Sequence, residues 1–355
     1  MFNPYPGVIE KYRSYLAIPE GMPAVTLLEG NTPLIPVPSI SKYLGDDFEL
    51  WVKFEGLNPT GSFKDRGMTV AISEALFRGA KIAICASTGN TAASAAAYSA
   101  RAGMRSIVII PAGKVAAGKL AGAISYDADV IQIDGSFDQA LDLVVKLSEK
   151  HPIALVNSLN PFRLEGQKTA AFEICDTLGT APDWLVLPVG NAGNITAYWK
   201  GFKQYNDEKQ SGLPQILGVQ ASGSAPLVLG YPVDNPETIA TAIRIGRPAR
   251  GEEALLAASE SRGSIISATD EEILSAQKLL AFAGVWVEPA SAASLAGLKR
   301  QIEDKKIDLA GKKVILVCTG HGMKDPDIII EGFGKTKVLA PDIKSLEGYI
   351  LNGKQ

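Results

Sequence analysis

Only three cysteines and two histidines occur in 355 residues, and that scarcity excludes several chemistries at once. Cys85, Cys175 and Cys318 lie far apart and are odd in number, so no disulfide framework follows and a reducing compartment fits. Each stands in an apolar neighbourhood, the usual setting of a buried structural cysteine. Two histidines leave few ways to build a serine–histidine–acid triad. Cys318 and His321 are spaced like half a metal site, but two histidines and no C-x-x-C argue against zinc. His151, in a loop before a proline, has no catalytic reading. Charge of one sign is also lacking: 35 Lys and Arg stand against 38 Asp and Glu, for a net charge of -3. That gives no field for nucleic acid or an anionic membrane, so any anionic ligand must be held by local donors. Long apolar runs are missing. The stretch 91–102 is Ala-rich but broken by Ser94, Ser99 and Arg101, too short to span a bilayer. Residues 1–16 mix Pro, Glu, Lys and Arg and carry no signal-peptide core. A soluble, cytoplasmic protein is expected.

What is present reads as an α/β enzyme scaffold. Hydrophobic residues make up 46% and charged residues 21%, the balance of a globular protein, and the length suits two domains sharing a cleft. Apolar runs that do not alternate predict strands covered on both faces, at 50–54, 81–86, 106–110, 129–133, 153–156, 184–189, 216–220, 285–287 and 314–318. Helical patterns fall between most of them, near 64–79, 91–102, 115–126, 137–150, 164–178, 194–206, 269–283 and 291–304. The rhythm predicts doubly wound α/β architecture in two sheets. Such sheets bind ligands beyond the carboxyl ends of their strands, and Gly-, Ser- and Thr-rich turns follow the strands here repeatedly. The segment 223–263 is rich in Pro, Gly and Arg and reads as a surface crossing.

The densest chemistry lies in Pro59-Thr60-Gly61-Ser62-Phe63-Lys64-Asp65-Arg66-Gly67. Pro59 to Gly61 read as a loop, Ser62 as an N-cap, and Lys64 falls in the first helical turn. A helix N-terminus favours anions, so that place, like burial, pushes a lysine's pKa down. A neutral amine is the nucleophile that forms a Schiff base with an aldehyde cofactor; alone, the same lysine is an ordinary surface residue. Ser87-Thr88-Gly89-Asn90-Thr91 opens the Ala-rich helix and reads either as a simple cap or as a carboxylate cradle, with Asn90 offering an amide. Gly190-Asn191-Ala192-Gly193-Asn194 opens another helix. It is neither a Walker A loop nor a complete dinucleotide fingerprint, and a phosphate monoester held by backbone amides suits it better than a nucleotide; a plain tight turn is the alternative. Thr319-Gly320-His321-Gly322 ends the last strand with a hydroxyl placed to face a ring nitrogen. Asn157, Ser158 and Arg163 follow another strand, and an arginine fork there suits a phosphate or carboxylate unless it is a surface arginine.

Together these turns resemble the fold-type II pyridoxal-phosphate enzymes (tryptophan synthase beta subunit-like, two three-layer αβα domains) and, among them, the threonine synthase family. The matching pieces are Glu29-Gly30-Asn31-Thr32-Pro33-Leu34, Asn58 to Gly67, Ser87 to Ala92, Pro188 to Ile195, Glu288-Pro289-Ala290-Ser291-Ala292-Ala293 and Thr319 to Gly322. They span roughly residues 25 to 330 in the family's order. The resemblance implies pyridoxal 5'-phosphate as cofactor, with Lys64 as the Schiff-base lysine and proton shuttle, Asn90 on the phenolic oxygen, Gly190, Asn191, Ala192, Gly193 and Asn194 around the phosphate, and Thr319 at the pyridine nitrogen. It implies Ser87, Thr88 and Thr91 against the substrate carboxylate, and Asn157, Ser158 and Arg163, with Asn191, against a γ-phosphate. The reaction it implies is γ-elimination from O-phospho-L-homoserine and β-addition of water, giving L-threonine and phosphate. A smaller domain, 58–157, would be inserted in a larger one formed by 1–57 and 158–355, with the cofactor in the cleft and two copies in a homodimer.

The nearest alternative is a threonine or serine dehydratase of the same fold. Those enzymes usually carry four glycines in the phosphate loop and a histidine after the Gly-Asn pair, where this chain has Gly-Asn-Ala-Gly-Asn and Thr91. Cysteine synthase places Ser-Val before its lysine, not Ser-Phe. A nucleotide-binding Rossmann-like module should show the complete glycine fingerprint, and a non-catalytic relative would lack Lys64.

Overall fold

A computed structural model describes residues 4–45, 47–87, 89–113, 117–135, 137–326 and 338–352. Two sheets organise the chain through Lys324. The larger contains β1 (Leu34–Pro36), β2 (Glu49–Phe54), β7 (Trp184–Pro188), β8 (Gln215–Ala221), β9 (Ser264–Ala268) and β10 (Lys313–Cys318), in the order β1-β2-β10-β7-β8-β9. All pairings are parallel except that of β1 with β2. The smaller sheet is wholly parallel, in the order β5-β4-β3-β6, from β3 (Ile82–Ala86), β4 (Arg105–Pro111), β5 (Asp129–Ile133) and β6 (Ile153–Leu155).

Strand β10 shows why the apolar runs do not alternate. Val314, Leu316 and Cys318 enter one core, with residues of α2 (Pro38–Leu44), α12 (Asp270–Phe282) and α13 (Pro289–Glu303). Ile315 and Val317 enter a second core on the opposite face, against α8 (Thr169–Leu178), α9 (Gly193–Lys209) and α11 (Gly251–Glu260). Such two-sided burial requires apolar side chains at every position of a parallel strand. The small sheet is sandwiched likewise. Helices α3 (Lys64–Phe77), α4 (Asn90–Arg101) and α5 (Ala117–Ser125) cover one face, and α6 (Phe137–Lys150) covers the other. These are two doubly wound αβα layers, the fold-type II arrangement.

Several local expectations are corrected. Residues 285–287 form no strand: Val285 and Val287 are buried in the approach to α13, and Val287 makes only an isolated bridge to His321. The two unexpected strands, β1 and β9, are both sheet edges. The helix expected at 164–178 is two, α7 (Pro161–Gln167) and α8, with Lys168 between them. Ser62 does not cap α3. Phe63 takes that position, and the Ser62 hydroxyl lies 3.4 Å from the Lys64 amide. Ser62 is instead pinned by its backbone to Gly320 in an isolated bridge. The described residues from Asp325 onward belong to a second compact unit; its α14 (Ile343–Asn352) exposes Ile343, Leu346, Ile350 and Leu351.

Candidate active site

Every turn singled out from the sequence follows the carboxyl end of a strand, as the doubly wound fold demands. The loop before Lys64 is fastened to the turn after β10: the Phe63 amide donates to the Thr319 carbonyl (3.0 Å) and the His321 amide to the Gly61 carbonyl (2.9 Å). Gly61 has φ +82°, which favours glycine, and a Cβ there would approach the flexible end of Lys324 to 3.1 Å at Cε. Asp65 is fixed by the Thr60 amide and hydroxyl and by the Ser94 hydroxyl, each at 2.6 Å. Burial pushes its carboxyl up to about 6 against those bonds.

Helix α3 is held from below by a buried ionic network. Arg66 donates to Glu55 (2.7 Å) and Glu173 (2.6 Å), and Lys53 donates to Glu173 (2.7 Å). Burial alone would raise Glu173, but Arg66 and Lys53 more than offset it and hold the carboxyl below its usual range. Thr32 donates to Glu55 and the Asn31 amide to Glu173. The early motif Glu29 to Leu34 therefore supports the helix that carries Lys64. Lys64 itself is lowered from 10.5 to about 7, first by burial and then by the Arg163 guanidinium, with Glu288 opposing. A large fraction of its amine is neutral at neutral pH.

Arg163, on α7, is buried (1% exposed). Its Nη1 donates to the Val156 carbonyl (2.8 Å), while Nε has no hydrogen-bond partner. Among the described residues it makes no ion pair, and burial pushes it down to about 10. Gly67 makes room for it: a Cβ there would stand 2.7 Å from Arg163 Nε and from the Arg163 carbonyl oxygen. Asn157 spends both ends of its amide on the Ala86 backbone (3.0 and 2.8 Å), which leaves one N–H. Asn191 bridges further, donating to Ser158 Oγ (2.6 Å) and accepting from the Ala249 amide (2.6 Å). The chain thus brings Ser158 and Asn191 together, with Arg250 donating to the Ser158 and Leu159 carbonyls.

The turn Gly190 to Asn194 fits an anion. Gly190 passes so close to Ile243 that a Cβ would meet its Cα at 2.9 Å. Ala192 adopts φ +65°, turning backbone amides at the start of the 17-residue α9. Asn194 Nδ2 is buried with no partner, and an unpaired buried donor beside a helix N-terminus is the complement of a phosphate. At the other strand ends, Asn90 and Thr319 are both buried. Asn90 Nδ2 donates to the two oxygens of Glu288 at 3.2 and 3.0 Å. Thr319 Oγ1 lies 2.9 Å from Ser291 Oγ and 3.4 Å from Glu288 Oε1. Ser87 and Thr91 are half-buried at the start of α4; Thr88 lies outside the described residues.

Glu288, Asp65 and Lys324 carried no assigned role in the sequence reading. Their signal was faint: Asp65 and Glu288 stood inside matching motifs without a role, and nothing in spacing told that the Glu288 side chain reaches Asn90, 198 residues away.

A lysine of lowered pKa, a glycine-bearing turn with an unpaired buried donor and buried polar side chains at the strand ends of two doubly wound layers suit a pyridoxal-phosphate-dependent enzyme. Residues 25–320 match the family described as "Pyridoxal-phosphate dependent enzyme". The chain is 58% identical to threonine synthase of Synechocystis over 342 residues, covering 95% of this chain and 89% of that protein. It is 52% identical to threonine synthase of Methanocaldococcus jannaschii, covering 90% and 81%. Among solved structures, maize serine racemase superposes with a TM-score of 0.73 at 21% identity, covering 91% of this chain and 94% of the other; this likeness speaks for the fold. The chain belongs to the threonine synthase family of pyridoxal-phosphate-dependent enzymes. Among the described residues no helix is long and apolar enough to cross a membrane.

Proposed function

We propose that this enzyme converts O-phospho-L-homoserine and water into L-threonine and inorganic phosphate. The observation that carries the reading is Arg163, a buried guanidinium with an unpartnered Nε, close enough to Lys64 to lower it. The turn Gly190 to Asn194 suits the cofactor phosphate without a cation, so the guanidinium of Arg163 calls for a further anion, on the substrate side chain. Ser87 and Thr91 suit the substrate carboxylate, and a dehydratase substrate, threonine or serine, carries no further anion on its side chain.

Bound pyridoxal phosphate supplies an electron sink for negative charge on substrate carbon. Lys64 would carry it covalently, Asn90 would face its phenolic oxygen, Thr319 its ring nitrogen, and Gly190 to Asn194 its phosphate. Neutral Lys64 Nζ accepts the substrate Cα proton and serves as the local proton carrier when Cβ loses and Cγ gains a proton. Arg163, the remaining Asn157 N–H, Ser158 and Asn191 hold the γ-phosphate as it leaves, stabilising charge where it develops. Ser87 and Thr91, with Thr88, orient the substrate carboxylate. We further infer that 58–157, which contains the whole small sheet, is a domain inserted in the rest of the chain, that the active form is a cytoplasmic homodimer, and that the smaller domain closes on substrate. Unchanged hydrogen-exchange protection on adding a phosphohomoserine analogue would argue against closure.

The direct test incubates cofactor-loaded enzyme with O-phospho-L-homoserine and measures threonine and phosphate together. Equal amounts of both are expected. Neither product, with 2-oxobutanoate formed from added threonine, would move the assignment to the dehydratases.

A further inference from the structure

The residues given to the substrate phosphate stand on separate turns, and a third segment ties those turns together. Ser158 follows β6 of the smaller sheet, and Asn191 follows β7 of the larger. Asn191 Oδ1 accepts from the Ala249 amide at 2.6 Å. A backbone N–H can only donate, so this bond decides which end of the Asn191 amide faces which way. Nδ2 must then be the group that donates to Ser158 Oγ, also at 2.6 Å. The Ser158 hydroxyl keeps its own proton to give, and among the described residues nothing accepts it. The next residue holds the Ser158 turn by its backbone. Arg250 stands at the N-cap position of the ten-residue α11, with its side chain 16% exposed. Its Nε donates to the Ser158 carbonyl at 3.4 Å, its Nη2 to the Leu159 carbonyl at 3.3 Å and its Nη1 to Glu253 at 3.1 Å. All three nitrogens are engaged within the protein. Asn160 secures the far end of the same turn, accepting from the Phe162 amide and donating to the Leu155 carbonyl, both at 2.9 Å, at the start of the helix that carries Arg163.

We propose that the segment Ala249–Arg250 is a clasp that presets the Ser158 hydroxyl as a donor to the substrate's γ-phosphate, with Arg250 as the positioning residue. Ala249 fixes the order of protons, because its amide turns Asn191 and Asn191 turns Ser158. Arg250 fixes the place of the turn, because a guanidinium held on two successive carbonyls makes charge-assisted bonds to both. Without it those two peptide oxygens are free to swing toward an arriving phosphate and repel it. Neither residue of the clasp serves as a ligand of the phosphate itself. A donor already aimed at the place where negative charge develops needs no reorganisation when the phosphate leaves, so the clasp favours a phosphate ester over an amino acid with a bare hydroxyl. The inference rests on the substrate reading above.

The test compares cofactor-loaded wild type, Arg250→Ala, Arg250→Lys, Ser158→Ala and the double variant Arg250→Ala, Ser158→Ala. Each is assayed for turnover of O-phospho-L-homoserine and titrated spectroscopically with L-threonine, which lacks the phosphate. Arg250→Ala should raise KM for O-phospho-L-homoserine about tenfold, the effect of weakening one hydrogen bond to a charged group, and leave threonine affinity and cofactor absorbance as in wild type. Arg250→Lys should recover most of the loss, since an ammonium can bridge the same two carbonyls. In the Ser158→Ala background, removing Arg250 should raise KM no further. An unchanged KM in Arg250→Ala overturns the clasp, as does an equal further rise in a chain already lacking the Ser158 hydroxyl. A matching loss of threonine affinity would reveal a general disturbance of the site and overturns it too. The wild-type arm reports separately on the substrate reading: if wild type binds threonine but neither binds nor turns over O-phospho-L-homoserine, that reading fails and the clasp falls with it.

Discussion

Replacing Lys64 by methionine should abolish turnover and yet make the cofactor-free protein more stable. The amine is lowered from 10.5 to about 7, chiefly by burial. A lysine whose folded pKa lies below its unfolded value leaves the unfolded chain binding more protons between those two values. Its penalty on folding is therefore full below about pH 7, declines as pH rises, and is gone above 10.5. The gap, at about 1.36 kcal/mol per pH unit, bounds the penalty at about 5 kcal/mol. Lys64 is half-buried rather than sealed off, so solvent screening leaves the penalty well below that bound. Methionine keeps an unbranched side chain of similar reach and removes the charge, and its helix propensity matches that of lysine. Urea denaturation of cofactor-free wild type and Lys64→Met, at several pH values from about 6 to about 10, measures the difference. The expected gain is largest at the acid end and shrinks steadily toward the alkaline end. A gain that stays constant with pH would show that methionine acts through packing alone. A loss at neutral pH would show that the ammonium is satisfied in the fold, and the nucleophile argument would be refuted.

Covalent loading of cofactor by the cofactor-free chain should quicken as pH rises through about 7, because that is where the Lys64 amine becomes neutral; stopped-flow absorbance follows it, and a rate that falls over that range would contradict the assignment. Arg163→Gln should raise KM for O-phospho-L-homoserine by about tenfold to a hundredfold, the value of one charged hydrogen bond, while cofactor affinity changes little. Gly67→Ala should destabilise by about 1–3 kcal/mol and weaken substrate binding, since its Cβ would stand 2.7 Å from two atoms of Arg163; a melting curve and KM report the two effects. Arg66→Met should cost about 3–5 kcal/mol by leaving Glu55 and Glu173 buried without their guanidinium, and a melting temperature equal to wild type would show the network to be dispensable.

How much of this was legible in the chain depends on the range of the interaction that encodes it. Helix α13 and strand β10 could be read because their information is local. Two-sided burial makes Val314 to Cys318 uniformly apolar, and Pro289 at the first helical turn marks where α13 begins. Edge strands β1 and β9 escaped because one side of an edge meets water, so Pro36 and Ser264 are tolerated there. Val285 and Val287 misled for the converse reason: burial against a helix entry selects the same residues as burial in a sheet. The turns at the strand ends were visible as glycines and hydroxyls, but their partners were not, because the partners come from elsewhere in the chain. Ser62 shows the difference at one residue. As sequence it is a helix cap; in the fold its backbone is taken by Gly320, and the cap position passes to Phe63. The early motif Glu29 to Leu34 carries a resemblance but no role in the sequence, and in the fold its residues serve Glu55, Glu173 and Tyr98. Glu288 is the extreme case. Its motif marks the place but not the partner, which is an amide 198 positions upstream. Local spacing carries the parts of such a site, and only the pairing of distant turns says which part restrains which.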